Sequence, residues 1–267
     1  MKKINLRGVL QAVGAADTPR FCAAIVPAAG ASSRFGDSDK LWAMLCGIPV
    51  LARTLKALEE TSEVGEIIVA ARKDCLDNVA ELGKTYGITK LRAVVRGGNT
   101  REESVKAGLL AVSPEAALVC VHDAARPLAT PDLIGRLIRL ADTVNAVIPA
   151  IPVRDTVKTV RQGAITSTPK REDLRLAQTP QVFDRHLLEA AILKAEADKK
   201  NYTDDASAVE ALGVCVRVLE GERENIKLTY PEDMAYAELL LKLRERRDAS
   251  CASDTATTST GSSKDAG

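Results

Sequence analysis

A chain of 267 residues, 46% hydrophobic and 27% charged, is ordinary globular material, long enough for one large core with an appendage. Its formal net charge of +1 provides no global field toward nucleic acid or anionic membrane, and 3% aromatic residues are too few for a single-strand stacking platform. No window is apolar for long enough to span a bilayer, and residues 1–20 lack the sustained apolar stretch of a secretory leader.

Residues 1–20 therefore read as an N-terminal extension, and the first element is the short apolar run 22–26, bounded by Pro27 and Gly30. Its length and flanks suit a buried parallel strand. Apolar residues Val50, Leu51, Leu55 and Leu58 then form a helical stripe with Pro49 near its first turn. The alternation continues: strand 67–70, helix 74–86, strand 91–96, helix 100–112, strand 117–122, helix 131–143, strand 146–151. Such a pattern predicts an α/β fold with a mostly parallel sheet and helices on both faces. Residues 153–160 and 164–168 flank Arg161-Gln162-Gly163 and read as a β-hairpin. Both strands alternate with polar residues, so the arm buries little by itself and calls for a partner surface, plausibly a second subunit. Beyond it come a helix at 184–197, a short helix at 204–212, strands at 215–219 and 226–229, and a last helix from Pro231 to about Arg246. The Ser-, Thr- and Ala-rich residues 248–267 read as a disordered tail. Six scattered cysteines with no C-x-x-C pair point to a reducing compartment, so the cytoplasm is expected.

In a parallel sheet, ligands bind at the carboxyl ends of the strands. The first such loop, PAAGASSRFG, sets Ala28, Ala29 and Gly30 where uncovered backbone N–H groups admit a phosphate or a base, with Arg34 and Lys40 as mobile cations. Neither Walker A nor dinucleotide-fingerprint spacing fits, and a plain βα turn with solvated charges is the alternative. The second, RGGNTREES, pairs glycines with a helix start in which Thr100 and Glu103 stand at capping-box spacing. The third, VHDAARP, ends a strand with Asp123, a natural Mg²⁺ ligand; an Asp123–Arg126 ion pair is the structural alternative. Together with Arg101, Arg126 and Arg171 or Lys170, these loops make a cationic clamp without a nucleophile–base pair, which suits phosphoryl or nucleotidyl transfer. His122 on a buried strand and His186 on a helix are poor triad members.

PAAGASSRFG with Lys40, then GGNTREESV, VHDAARP, PVRDT, LAQTPQVF, TDDASAVE and EGERENIKLTYPEDM, in that order, resemble the 2-C-methyl-D-erythritol 4-phosphate cytidylyltransferase family. The resemblance implies a Rossmann-like nucleotidyltransferase domain over residues 21–247, a dimerisation arm at 152–175, and a homodimer. It implies Mg²⁺-dependent reaction of CTP with methylerythritol phosphate. Arg34 and Lys40 are then expected to act on the transition state, with Asp123 on Mg²⁺. Ala28, Ala29, Gly30, Gly98, Asn99, Arg101 and Ser104 are expected around the nucleotide. Thr156, Arg171 and Lys227 are expected on methylerythritol phosphate, with Arg126 in support and Thr156 and Arg171 from the neighbouring subunit.

Ser32, Phe35, Leu41-Trp42 and Glu224 depart from the family's usual residues, and Glu224, where aspartate is common, puts a substrate-side contact in question. Ribitol 5-phosphate cytidylyltransferases share much of the pattern, but HDAARP and PVRDT lean toward the methylerythritol enzymes. A non-catalytic nucleotide-binding regulator would call for a lost loop charge, whereas Arg34, Lys40 and Asp123 are all retained.

Overall fold

In the computed structural model, which describes residues 21–30 and 39–259, the small apolar run after Phe21 forms strand β1, Cys22–Ala28. Next in chain order are β2 (Met44–Leu45), β3 (Ile48–Pro49), α1 (Val50–Glu59), β4 (Val64–Ala71), α2 (Leu76–Thr85), β5 (Leu91–Arg96) and α3 (Arg101–Leu110). They are followed by β6 (Leu118–Val121), α4 (Pro131–Val144) and β7 (Ala146–Pro152). The arm carries β8 (Thr159–Arg161) and β9 (Ala164–Ser167). The chain returns through β10 (Arg175–Ala177), β11 (Gln181–Asp184), α5 (Arg185–Asp198), α6 (Asp205–Glu210), β12 (Arg217–Glu220) and α7 (Glu232–Ser259).

The main sheet has the order β10-β7-β11-β6-β1-β4-β5, with β12 also paired to β7. β1 runs parallel to β4 and β6, β4 to β5, and β7 to β12, as the alternating pattern predicts. β11 is antiparallel to β6 and β7, and β10 is antiparallel to β7. The reversal follows from the arm. The chain leaves through β7 and comes back alongside it, as the two strands of a hairpin do. The arm's own turn has positive φ at Gln162 and Gly163, as a two-residue turn of this hand requires.

Period-two alternation divides β1 between the two faces of the sheet. Cys22, Ala24 and Val26 face a core completed by α1, α2, α4 and the start of α7, while Ala23 and Ile25 face α3, α5 and α6. A glycine on the helix lets α3 approach β1 closely: a Cβ added to Gly108 would lie 2.5 Å from Ile25 Cγ2. α4 begins at Thr130, whose hydroxyl accepts from the Leu133 N–H, and buries Leu133, Ile134, Leu137, Ile138 and Ala141. Each large aliphatic so buried contributes about 1.5–3 kcal/mol of transfer free energy.

Two expectations change. Residues 226–229 form no strand; the Leu228 N–H bonds to the Ala125 carbonyl, Ile226 and Leu228 pack on the core, and Lys227 turns toward the site. α7 continues past Arg246 to Ser259, into residues read as a disordered tail. With no Pro or Gly between Glu232 and Ser259, each added residue extends the hydrogen-bond ladder at little cost. The extension 1–20 and residues 260–267 lie outside the described residues. Among the described residues no helix is long and apolar enough to cross a membrane, and Cys46, Cys75, Cys120 and Cys215 are free thiols.

Candidate active site

Loops following β1, β5 and β6 meet in a cleft of about 280 Å³. Ala28, Ala29 and Gly30 enter it from β1, and Gly98, Asn99, Arg101 and Ser104 from the β5–α3 connection. Asp123 enters after β6, joined by Lys40 and Lys227. Lys40 sits in a turn fixed by Asp39, which pairs with Arg72 at 2.8 Å and accepts from the Leu41 N–H at 3.1 Å. Its Nζ donates to the Leu228 carbonyl at 3.1 Å.

The glycine turn is held from below by α3. Thr100 caps the helix by accepting from the Glu103 N–H at 3.1 Å, while Glu103 Oε2 accepts from the Asn99 N–H at 2.6 Å. The reciprocal bond thus reaches one residue before the cap rather than the cap itself. Ser104 donates to the Thr100 carbonyl and accepts from the Gly98 N–H, so its hydroxyl shapes the turn. A Cβ on Gly97 would lie 2.5 Å from Ala29 Cβ and 2.8 Å from Ser104 Oγ, which is why a glycine stands where the first two loops touch.

Asp123 is the electrostatic centre. Oδ1 meets Arg101 Nε at 3.1 Å, and Oδ2 meets Lys227 Nζ at 2.8 Å and Arg126 Nε at 3.7 Å. Burial opposes its ionisation, but Arg101, Lys227 and Arg126 outweigh burial and hold the carboxyl well below the usual range. Arg101 also pairs with buried Asp205 at 2.7 Å; burial works against its charge, yet Asp205 and Asp123 keep it above its ordinary value. At Asp205 burial pushes the carboxyl up, with Arg101 pulling the other way. For Arg126 burial prevails and lowers the pKa; its Nη1 donates to the Asn225 carbonyl at 2.7 Å, while Nε is buried without a hydrogen-bond partner. Lys40, Arg101, Arg126 and Lys227 outnumber Asp123 and Asp205, so the cleft favours an anion.

A second network fixes the strand end that carries Asp123. His122 is fully buried between the Thr179 hydroxyl (3.0 Å from Nδ1) and the Arg126 carbonyl (3.2 Å from Nε2). A carbonyl only accepts, so Nε2 carries the proton and Nδ1 accepts from Thr179. The same Thr179 oxygen accepts from the Asp123 N–H at 3.0 Å. Burial pushes the His122 pKa down to about 4, so the ring is neutral near pH 7 and serves as a strut.

The structure thus brings together Ala28, Ala29, Gly30, Lys40, Gly98, Asn99, Arg101, Ser104, Asp123 and Lys227, with Arg126 adjoining through Asp123. The ion pair offered as an alternative reading of Asp123 and Arg126 is present, at 3.7 Å, but as one contact among three. Arg34 lies outside the described residues. Thr156 and Arg171 are exposed on the arm and do not line the cleft; Arg171 Nη1 donates to the Arg154 carbonyl at 3.1 Å. Sequence reasoning missed Asp205, Thr179 and Gly97 as supports. Asp205 had a faint signal, as a second acid directly after the Asp204 cap, but the partner that gives it meaning is 104 residues away.

The family model of 2-C-methyl-D-erythritol 4-phosphate cytidylyltransferase (IspD) matches residues 22–243. The chain is 41% identical over 224 residues to the Halalkalibacterium halodurans enzyme of that name, covering 84% of this chain and 98% of that protein. It is 41% identical to the Geobacter metallireducens enzyme, covering 82% and 97%. Among solved structures, 4-diphosphocytidyl-2C-methyl-D-erythritol synthase from Anaerococcus prevotii superposes with TM-score 0.76 at 34% identity, covering 84% of this chain and 97% of that one. The Thermus thermophilus cytidylyltransferase gives TM-score 0.69 at 33% identity, covering 83% and 99%. With a family match across the whole α/β body, and with the cationic cleft at its strand ends, the chain belongs to the 2-C-methyl-D-erythritol 4-phosphate cytidylyltransferases and is an enzyme of the nucleotidyltransferase class.

Proposed function

We propose that this cleft transfers CMP from CTP to 2-C-methyl-D-erythritol 4-phosphate, releasing pyrophosphate and 4-diphosphocytidyl-2-C-methyl-D-erythritol for non-mevalonate isoprenoid synthesis. The observation that carries the proposal is Asp123, ionised at the strand end among Arg101, Arg126 and Lys227, beside the small-residue loops of 28–30 and 97–99.

Ala28, Ala29, Gly98, Asn99 and Ser104 surround the cytosine, and Gly30 and Arg101 adjoin the nucleotide. Lys40, with Arg34, meets charge that develops as the α-phosphorus is attacked. The nucleophile is a phosphate monoester with a second pKa of about 6, already mostly dianionic near neutral pH, so no general base is required. Buried, neutral His122 is accordingly left as a strut. Lys227 serves the substrate phosphate from its place beside Asp123, and Arg126 braces that place.

The donor set fits Mg²⁺. Among the described residues no group of three or more His, Cys, Asp or Glu side chains could hold a metal alone, but Mg²⁺ usually takes one or two carboxylates and completes its shell with phosphate oxygens and water. Asp123 supplies such a carboxylate, already holding an ammonium at 2.8 Å on Oδ2. Bound there, Mg²⁺ would neutralise charge on the departing pyrophosphate.

The arm supports a homodimer. Val160 and Ile165 are 54% and 62% exposed, and an isolated two-stranded ribbon is marginal in water. A second subunit covers it, and Thr156 and Arg171 then reach the neighbouring cleft. Free, scattered cysteines accord with a cytoplasmic setting.

The direct test is pyrophosphate release from CTP, which should require methylerythritol phosphate and Mg²⁺; no release with both present overturns the proposal. Arg171→Ala should raise the KM for methylerythritol phosphate and leave CTP binding nearly intact. Mixing Lys40→Ala chains with Arg171→Ala chains, at a methylerythritol phosphate concentration too low for the Arg171→Ala protein to turn over, gives heterodimers with one doubly lesioned site and one intact site. Activity should return as subunits exchange. If exchange is demonstrated and activity stays absent, Arg171 serves its own chain.

A further inference from the structure

The segment 221–230 carries Lys227 and is fastened to the cleft along its inner side. Fully buried Asn225 donates from Nδ2 to the Thr179 carbonyl at 2.8 Å, and its own carbonyl accepts from Arg126 and from Gln178 Nε2 at 3.2 Å. The Leu228 N–H donates to the Ala125 carbonyl at 2.9 Å. Glu224, in the middle of this segment, turns the other way. Its Oε2 meets Arg244 Nε at 2.5 Å and its Oε1 meets Arg247 Nη2 at 2.7 Å. The two arginines stand three residues apart on α7, neighbours on one helix face, so a single carboxylate can join both. A carboxylate forked between two guanidinium groups and only 26% exposed is better placed than an isolated surface ion pair.

The family match ends at residue 243, just before Arg244 and Arg247, so the far side of this contact lies beyond the matched body.

We infer that Glu224 is a positioning residue, gripped by Arg244 and Arg247 of α7, that holds segment 221–230 so that Lys227 is presented at the substrate-phosphate side of the cleft. The inference rests on the proposed role of Lys227 toward methylerythritol phosphate. Glu224 touches neither reactant; it acts through the backbone that carries Asn225 and Lys227.

The test uses the full-length protein and four variants: Glu224→Gln, Arg244→Gln with Arg247→Gln, all three changes together, and Glu224→Asp. Glu224→Gln should raise the KM for methylerythritol phosphate roughly threefold to tenfold, with kcat and the KM for CTP within about twofold. The triple variant should be no worse than Glu224→Gln, because all three side chains make one interaction. Glu224→Asp keeps the charge at shorter reach and should fall between wild type and Glu224→Gln. Hydrogen exchange supplies a readout independent of turnover: amides of 222–228 should exchange faster in Glu224→Gln, with the β1 and β6 amides unchanged. A wild-type KM in Glu224→Gln, strict addition of the arginine and glutamate effects, or unaltered exchange in 222–228 overturns the clamp. Absence of turnover by the wild-type protein instead overturns the functional reading, and the exchange comparison still decides the clamp.

Discussion

Lys40→Ala should lower kcat by about 10²–10³, or about 2.7–4 kcal/mol, while the Kd for CTP changes only a few-fold. The lysine is held between two parts of the cleft. Asp39 is pinned by Arg72 at 2.8 Å, the turn is closed by the Leu41 N–H, and Lys40 Nζ reaches the Leu228 carbonyl at 3.1 Å, on the segment that carries Lys227. A cation so placed between the nucleotide loops and the substrate segment is worth most where negative charge builds up between them. In the proposed arrangement ground-state binding of CTP is shared with Arg101 and the small-residue loops at 28–30 and 97–99, so one ammonium is a small part of it. Equilibrium binding measured beside single-turnover rates separates the two effects. If weaker CTP binding accounts for the whole loss, Lys40 is a ground-state contact and its assignment to the transition state is wrong.

Asp123→Asn should combine a comparable loss of activity with a loss of stability. The substitution preserves shape but leaves Arg101, Arg126 and Lys227 without their shared counter-charge. Breaking a buried pair costs about 3–5 kcal/mol. Most of that falls on Arg126, 11% exposed and already lacking a hydrogen-bond partner at Nε; Arg101 retains Asp205, and Lys227, 42% exposed, regains water. The pH dependence has a definite sign. The folded-state pKa of Asp123 is depressed, so its stabilisation is complete above the ordinary carboxylate range near pH 4 and is lost as pH falls through the lowered folded value. The gap in Tm between wild type and variant should therefore be widest at pH 6–7 and shrink below about pH 4. Residual activity should also need more Mg²⁺. An unchanged Mg²⁺ titration together with the stability loss would make Asp123 a purely structural ion-pair partner.

The half of the fold that repeats strand, loop and helix was legible, because its signals are local. Apolar runs at 22–26, 67–70 and 117–122 and the Thr100–Glu103 capping spacing need no knowledge of distant residues. The cleft was legible for the same reason: in a parallel sheet Ala28, Gly98 and Asp123 all follow strand ends, so topology alone gathers them. What escaped depends on long-range pairing. β10 is three residues long and exists because β7 is there to receive it. Residues 226–229 have a strand-like composition, yet Lys227 and Leu228 are engaged with Asp123, Ala125 and Lys40 instead of a ladder. The roles of Asp205 and Thr179 are defined by partners 104 and 56 residues away, Arg101 and the Asp123 N–H, which no spacing rule reaches. Glu224 is the clearest case. Its tie to α7 depends on arginines 20 and 23 residues further on, and the length of that helix beyond Arg246 was itself unforeseen.

This cleft should cytidylylate methylerythritol phosphate in preference to other polyol phosphates. The most direct measurement is a competition in which the protein, CTP and Mg²⁺ receive methylerythritol phosphate and ribitol 5-phosphate at equal concentration, with both cytidylylated products quantified by mass. A site that hydrogen-bonds the correct hydroxyls can reject a mismatched analogue by about 10⁴, so the methylerythritol product should dominate by orders of magnitude. Equal amounts of the two products, or an excess of the ribitol product, would show that the cleft is not built for methylerythritol phosphate.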